Sequence, residues 1–111
     1  MAALTYSQLE ALNKLAAESG YATPTHTSAT AGTASSAILA ANLARKYALI
    51  QNDSDTVVYI ALGADAVANK GIRLNASGGS YEMSPAFGNL YTGAINAIAS
   101  ASKTVLLTEG V

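Results

Sequence analysis

Two strand-like segments at residues 45–51 and 56–62, separated by turn-forming residues 52–55, constrain the fold most strongly. A half-buried strand alternates apolar and polar side chains, because successive residues point to opposite faces of a sheet. The second segment is instead apolar on both faces, with Val58, Ile60 and Leu62 on one and Val57, Tyr59 and Ala61 on the other. One face can fill a core, so the other predicts a covering layer or a neighbouring molecule.

The composition predicts one domain with a modest core. Of the 111 residues, 24 are alanine and 26 are Val, Ile, Leu, Met or Phe. Burial contributes roughly 25 cal/mol per Å² of apolar surface, and alanine offers little surface to bury. We therefore expect a marginally stable monomer that gains stability by oligomerising or by docking onto a partner.

Charge and cysteine content narrow the function classes. Six Lys and Arg stand against seven Asp and Glu with no basic cluster, which argues against a nucleic-acid partner. No segment approaches the roughly 20 apolar residues that cross a bilayer, so no membrane partner is expected. The chain has no cysteine, which fits synthesis in a reducing cytoplasm and removes disulfides and thiolate metal sites from consideration.

Residues 1–21 are predicted to form an N-terminal α-helix. Leucines recur at helical spacing between residues 4 and 15, Thr5 and Gln8 match a capping box, and Gly20 is a favourable stop. The leucine stripe must pack on something, either its own domain or a partner.

Residues 22–37 are predicted to form an extended arm or a flexible linker. This Ala/Thr/Ser-rich stretch has five threonines and no large aliphatic side chain, so it cannot anchor a core layer alone. We expect it to remain mobile or to lay its backbone along another surface.

Residues 38–111 read as a mainly β domain, because short apolar runs alternate with turn residues. The predicted class is a jelly-roll-like β-sandwich, and a small barrel is the competing geometry. Turn counting predicts hairpins that pair Leu74 with Tyr81, Ile72 with Met83, Arg73 with Glu82, Leu49 with Val58 and Tyr47 with Ile60. The predicted strands are 38–41, 45–51, 56–62, 71–75, 80–84, 89–92, 94–99 and 104–109.

The residues give no pattern of an enzyme, a metal site or a cofactor site. The single histidine, His26, lies in the arm, where a rigidly oriented catalytic imidazole is not expected. Asp53 and Asp55 lack the glycine and the terminal glutamate of a calcium loop, and turn chemistry explains them. Tyrosines on a sandwich face could stack against sugars, although packing is their commoner use.

Four stretches of the chain resemble segments of a known class of proteins. They are residues 45–56 continuing to 62–63, Lys70-Gly71-Ile72-Arg73-Leu74, Gly78-Gly79-Ser80-Tyr81-Glu82 and Thr92-Gly93-Ala94-Ile95. These stretches resemble small virion proteins of tailed bacteriophages, and the detailed resemblance covers residues 36–111. The chain's length and predicted helical start are most similar to the capsid decoration, or staple, proteins of epsilon-fifteen-like short-tailed phages.

This resemblance implies a non-enzymatic protein on the outside of an icosahedral shell. Its partner would be a major capsid protein of HK97-type fold, bound across subunit boundaries, with the chain acting as a homodimer on the shell. The second hypothesis is a binding module, either a tail or fibre adaptor or a carbohydrate-binding sandwich. The third hypothesis is a small hydrolase. The residues expected at a protein interface are Tyr6, Leu9, Leu12, Pro24, His26, Val57 and Tyr59.

Overall fold

The structure, a computed structural model, describes residues 5–9 and 20–111. These residues form one helical turn and eight β-strands. Leu12 and most of the predicted N-terminal helix lie outside the described residues. The strands are β1 (Pro24–Ala31), β2 (Ser36–Leu39), β3 (Tyr47–Asn52), β4 (Val58–Leu62), β5 (Ile72–Leu74), β6 (Ser80–Met83), β7 (Ile95–Ala99) and β8 (Lys103–Gly110).

The predicted capping box is present in the helical turn at residues 6–9. The Thr5 backbone N–H donates to Gln8 Oε1 at 2.9 Å, and the Gln8 N–H donates to Thr5 Oγ1 at 3.2 Å. Each side chain thus satisfies a backbone donor that a helix start leaves without a partner.

The strands form two antiparallel four-stranded sheets, as expected of a β-sandwich. The first sheet has the order β1-β8-β3-β6 and the second the order β2-β7-β4-β5. Strand 1 therefore neighbours strand 8, strand 2 neighbours 7, 3 neighbours 6 and 4 neighbours 5. This strand order results when one long antiparallel hairpin folds over on itself to make the two sheets.

The core lies between the sheets and is lined by alternate residues of each strand. In β3 the buried positions are Ala48, Ile50 and Asn52, while the intervening residues are half-buried. Alternation arises because side chains on a pleated strand point to opposite faces. The buried apolar cluster consists of Ala31, Ile38, Leu39, Ala48, Ile50, Val58, Ile60, Leu74, Met83, Ile95, Ala97, Ala99, Val105 and Leu107.

The predicted hairpin pairings are wrong. β5 pairs with β4, so Leu74 faces Val58 and Ile72 faces Ile60. β6 pairs with β3, so Met83 faces Ala48 and Tyr81 faces Ile50. The turns at 53–57 and 75–79 cross from one sheet to the other. Each predicted pair therefore joins strands of different sheets: Leu74 and Tyr81, Ile72 and Met83, Arg73 and Glu82, Leu49 and Val58, and Tyr47 and Ile60.

The segment expected to be an arm is extended, but it belongs to the sandwich. β1 pairs with β8 along its whole length, from Pro24 opposite Gly110 to Ala31 opposite Lys103. Residues 36–37 open β2. The predicted strand at 89–92 is absent, because residues 84–94 form a loop between β6 and β7.

Candidate functional site

The six predicted interface residues that the structure describes do not come together on one surface. Tyr6 and Leu9 are exposed on the helical turn, with 82% and 48% of their surface accessible. Pro24 and His26 are exposed on β1, at the edge of the first sheet. Val57 and Tyr59 lie on the outer face of the second sheet, on the opposite side of the sandwich.

The outer face that carries Val57, Tyr59 and Ala61 is not bare. Loop 63–71, between β4 and β5, lies across it. The Tyr59 hydroxyl donates to Asn69 Oδ1 at 2.8 Å, and Asn96 Nδ2 donates to the Ala64 carbonyl at 2.6 Å. The chain thus supplies much of the covering layer that the sequence predicts for this face.

A second contact fixes the same loop to the far edge of the sheet. The Ala66 backbone N–H donates to Ser35 Oγ at 2.8 Å, and Ala66 is buried. Gly71 returns the chain to β5 with a φ of 79°, and a Cβ there would lie 2.5 Å from the Ile60 carbonyl oxygen.

A cavity of about 510 Å³ remains between loop 63–71 and the sheet. Val57, Tyr59 and Ile98 form its sheet side, and Ala68 and Asn69 form its loop side. Thr33, Thr56 and Ser100 also line the cavity, and none of its lining residues is charged. This chemistry suits a neutral ligand with one apolar face and several hydroxyl groups.

One end of the sandwich displays large apolar side chains on its loops. We call loops 40–46 and 84–94, together with residues 20–23, the loop end. Leu43 is 93% exposed, Phe87 is 62% exposed and Tyr21 is 44% exposed. Loop 84–94 contains no charged residue. Loop 84–94 can therefore be buried against a protein without desolvating a charge of its own.

A buried arginine holds the two loops of the loop end together. The Arg45 side chain is inaccessible to solvent, and its Nε donates to Glu109 Oε2 at 2.7 Å. Its other nitrogens donate to the carbonyls of Tyr91, Gly93 and Ala40 at 2.6–3.0 Å. The Asn42 N–H also donates to the Thr92 carbonyl at 2.7 Å. These bonds tie the loop that carries Leu43 to residues 91–93, at the end of the loop that carries Phe87.

Tyr47 and Glu82 form a second polar contact on the outer face of the first sheet. The Tyr47 hydroxyl donates to Glu82 Oε2, and the Tyr47 ring packs against Tyr21 with the ring centroids 4.9 Å apart. The hydrogen bond to Glu82, aided by burial and by the carboxylate charge, raises the pKa of Tyr47 to about 12.

The groups considered for catalysis or metal binding are dispersed. Within residues 5–9 and 20–111, no three His, Asp or Glu side chains lie close enough to hold a metal ion. His26 Nδ1 lies 3.0 Å from Thr108 Oγ1 on the exposed face of the first sheet. Asp55 accepts a hydrogen bond from Lys103 Nζ at 2.8 Å, which lowers the pKa of that carboxyl.

Sequence reasoning missed the loop end and the loop side of the cavity. Leu43 and Phe87 stand alone among small and polar residues, in Asn42-Leu43-Ala44 and Pro85-Ala86-Phe87-Gly88. An isolated large apolar residue beside turn formers is the signal that could have marked them. Asn69 gave no such signal, because only the folded loop brings it to Tyr59.

Comparisons with known proteins identify no relative. No family model matches the chain, and neither the curated proteins nor the solved structures contain a match. Within the described residues, no helix has the length and apolar character needed to cross a membrane.

Proposed function

We propose that the chain is a non-enzymatic virion structural protein that binds the outer surface of an icosahedral phage capsid. There it would staple neighbouring major capsid subunits of HK97-type fold, as a homodimer, and stabilise the shell. It would be made in the host cytoplasm and would end on the capsid exterior. The observation that carries the proposal is the loop end, where Leu43 and Phe87 project from loops that Arg45 fixes to the sandwich.

The architecture supports this proposal in a general way. The order of the strands in the two sheets supports a jelly-roll type of sandwich, a fold found in viral capsid domains and in lectins. Loops held by a rigid sandwich are common places for binding residues. The segments that resemble decoration proteins supply the identity of the shell partner.

Co-sedimentation with phage shells tests the proposal. We expect the full chain to pellet with empty expanded shells and to stay in solution with unassembled capsid subunits. Replacing both Leu43 and Phe87 by serine should weaken shell binding at least tenfold, because two apolar contacts are lost. The matched control is Leu106→Ser, which removes another exposed leucine on the outer face of the first sheet, away from the loop end. Equal binding by the double variant and the wild type would exclude the loop end as the contact.

The second candidate is a carbohydrate-binding module, either free-standing or within a tail or fibre adaptor. The uncharged cavity beside Tyr59 favours it, since an aromatic ring and several hydroxyls are the groups that bind a sugar. A glycan screen would show binding by the wild type and weaker binding by Tyr59→Ala, which removes the aromatic ring from the cavity. Absence of any glycan binding would remove this candidate and leave the shell proposal unaffected.

A further inference from the structure

The outer edge of β1 differs from the other sheet edges. Edge strands expose backbone N–H and C=O groups that can pair with another chain, and proteins protect them with charges, bulges or short length. β6 has four residues and carries Glu82, and β5 has three and carries Arg73. β2 has a register shift between Ala37 and Leu39.

Apart from Pro24 at its first position, β1 has none of these protections along its eight residues. Its sequence, PTHTSATA, contains no Lys, Arg, Asp or Glu, and its register with β8 is continuous. Residues 24–28 are exposed, including those that point to the core side of the sheet. Within the part of the chain that the structure describes, no strand lies beside this edge.

The hydrogen-bond pattern shows which backbone groups are available. Thr23 and Val111 exchange both backbone N–H···O=C bonds, at 2.9 and 3.0 Å. In an antiparallel pair, bonded and non-bonded positions alternate, so His26, Ser28 and Thr30 direct their N–H and C=O groups away from β8. Pro24 also occupies an outward-facing position, so β8 loses no hydrogen bond through the N–H that proline lacks.

We propose that this edge pairs with β1 of a second copy of the chain in an antiparallel, two-fold arrangement. Ser28 would lie opposite Ser28 of the other copy, and His26 opposite Thr30. In this register the outward N–H groups of His26, Ser28 and Thr30 all donate to the other copy. A register centred on His26 would instead place Ser28 opposite Pro24, which has no N–H to donate. The first sheets of the two copies would then form one continuous sheet.

A second copy fits this edge better than a charged partner strand would. A two-fold axis places identical residues face to face, and like charges directly opposite one another are destabilising. β1 has no charged residue to create that conflict, and none to recognise a charged partner. The inference specifies the interface of the homodimer in the proposed function, but its geometry does not require a shell.

Cysteine cross-linking tests the register directly, because the native chain has no cysteine. In the proposed dimer the two residue-28 Cα atoms are about 5.5 Å apart, a separation that a disulfide spans. Mild oxidation of Ser28→Cys should therefore yield covalent dimers. The matched control is Ser80→Cys, an exposed serine on the same face of the sheet but on its opposite edge strand, β6, which should remain monomeric on a denaturing gel.

Charge variants test whether the edge drives association of the full chain in solution. By sedimentation, Ser28→Lys and Ser28→Glu should each raise the dimer Kd about tenfold, and an equimolar mixture should recover the wild-type value. Recovery in the mixture shows that both variants are folded. A wild-type chain that stays monomeric at every concentration, with no Ser28→Cys cross-link, would overturn the inference. Shell binding by such a monomer would still support the proposed function, so the two failures are distinguishable.

Discussion

At the scale of single residues, Arg45 links the fold to the loop end. Its guanidinium is fully desolvated, and its bonds to one carboxylate and three carbonyls satisfy groups from three segments of the chain. A buried charge is tolerated only when such partners are present, and removing one member leaves the others unsatisfied.

Replacing Arg45 by alanine should destabilise the protein by about 3–5 kcal/mol, because Glu109 and the loop carbonyls lose their donor. Urea unfolding measures this change. The matched control is Arg73→Ala, an exposed arginine whose Nε bonds only the Asn75 side chain, and it should change stability by about 0.5 kcal/mol or less. Equal effects of the two substitutions would contradict the role assigned to Arg45.

The contact between Tyr47 and Glu82 predicts a dependence of stability on alkaline pH. The folded-state pKa of Tyr47 is about 12, above the ordinary value of 10. The contact therefore contributes its full stability below pH 10, and that contribution is lost as the pH rises from about 10 to about 12.

Titration of phenolate absorbance should thus show a component near pH 12 that disappears in Tyr47→Phe. In Glu82→Gln that component should move to lower pH, because both the carboxylate acceptor and its negative charge are removed. A titration curve unchanged by Glu82→Gln would rule out this contact as the cause of the raised pKa.

At the scale of elements, the sequence predicts where most strands lie but not which strands pair with each other. Most strands were predictable because turn residues bound short apolar runs, and the capping box of Thr5 and Gln8 could be read directly. The hairpins failed because a short turn can cross the roughly 10 Å between two sheets as easily as it can join neighbours. Sequence spacing contains no information on which of these occurs at residues 53–57 or 75–79.

The segment 22–37 was misread for a related reason. Its threonines favour extended backbone, but its lack of large side chains predicts an arm or linker that cannot anchor a core layer by itself. β1 joins through backbone bonds to β8, which need no large side chain, and its N-terminal half remains exposed. The cavity beside Tyr59 was likewise beyond prediction, since its loop side forms only when residues 63–71 fold back.

The return of loop 63–71 to the sheet depends on Gly71. Gly71→Ala should cost about 3 kcal/mol, because a left-handed conformation and a clash with the Ile60 carbonyl act together. Gly88→Ala is the control, since Gly88 has a similar φ of 72° but open space around its Cα. It should cost about 1 kcal/mol in the same unfolding experiment. Equal costs would show that the close approach to Ile60 is unimportant.

At the scale of the whole molecule, the protein is a sandwich with a small core, and the two proposed binding surfaces lie outside that core. Four residues of the buried apolar cluster between the sheets are alanines, at positions 31, 48, 97 and 99. The loop end offers exposed apolar side chains, and the β1 edge offers free backbone groups. A protein with these two surfaces can join one copy to another and both to a shell.

Thermal rupture of phage shells tests this central claim most directly. A ligand that binds only the assembled shell stabilises it by RT ln(1 + [L]/Kd) per site, about 2.7 kcal/mol at a hundredfold excess over Kd. Expanded shells saturated with the wild-type chain should therefore rupture at a higher temperature than bare shells. At the same concentration, the Leu43→Ser, Phe87→Ser double variant should raise the rupture temperature by half as much or less, because a tenfold weaker Kd lowers the stabilisation to about 1.4 kcal/mol per site. Saturating wild-type protein that leaves the rupture temperature unchanged would contradict the account.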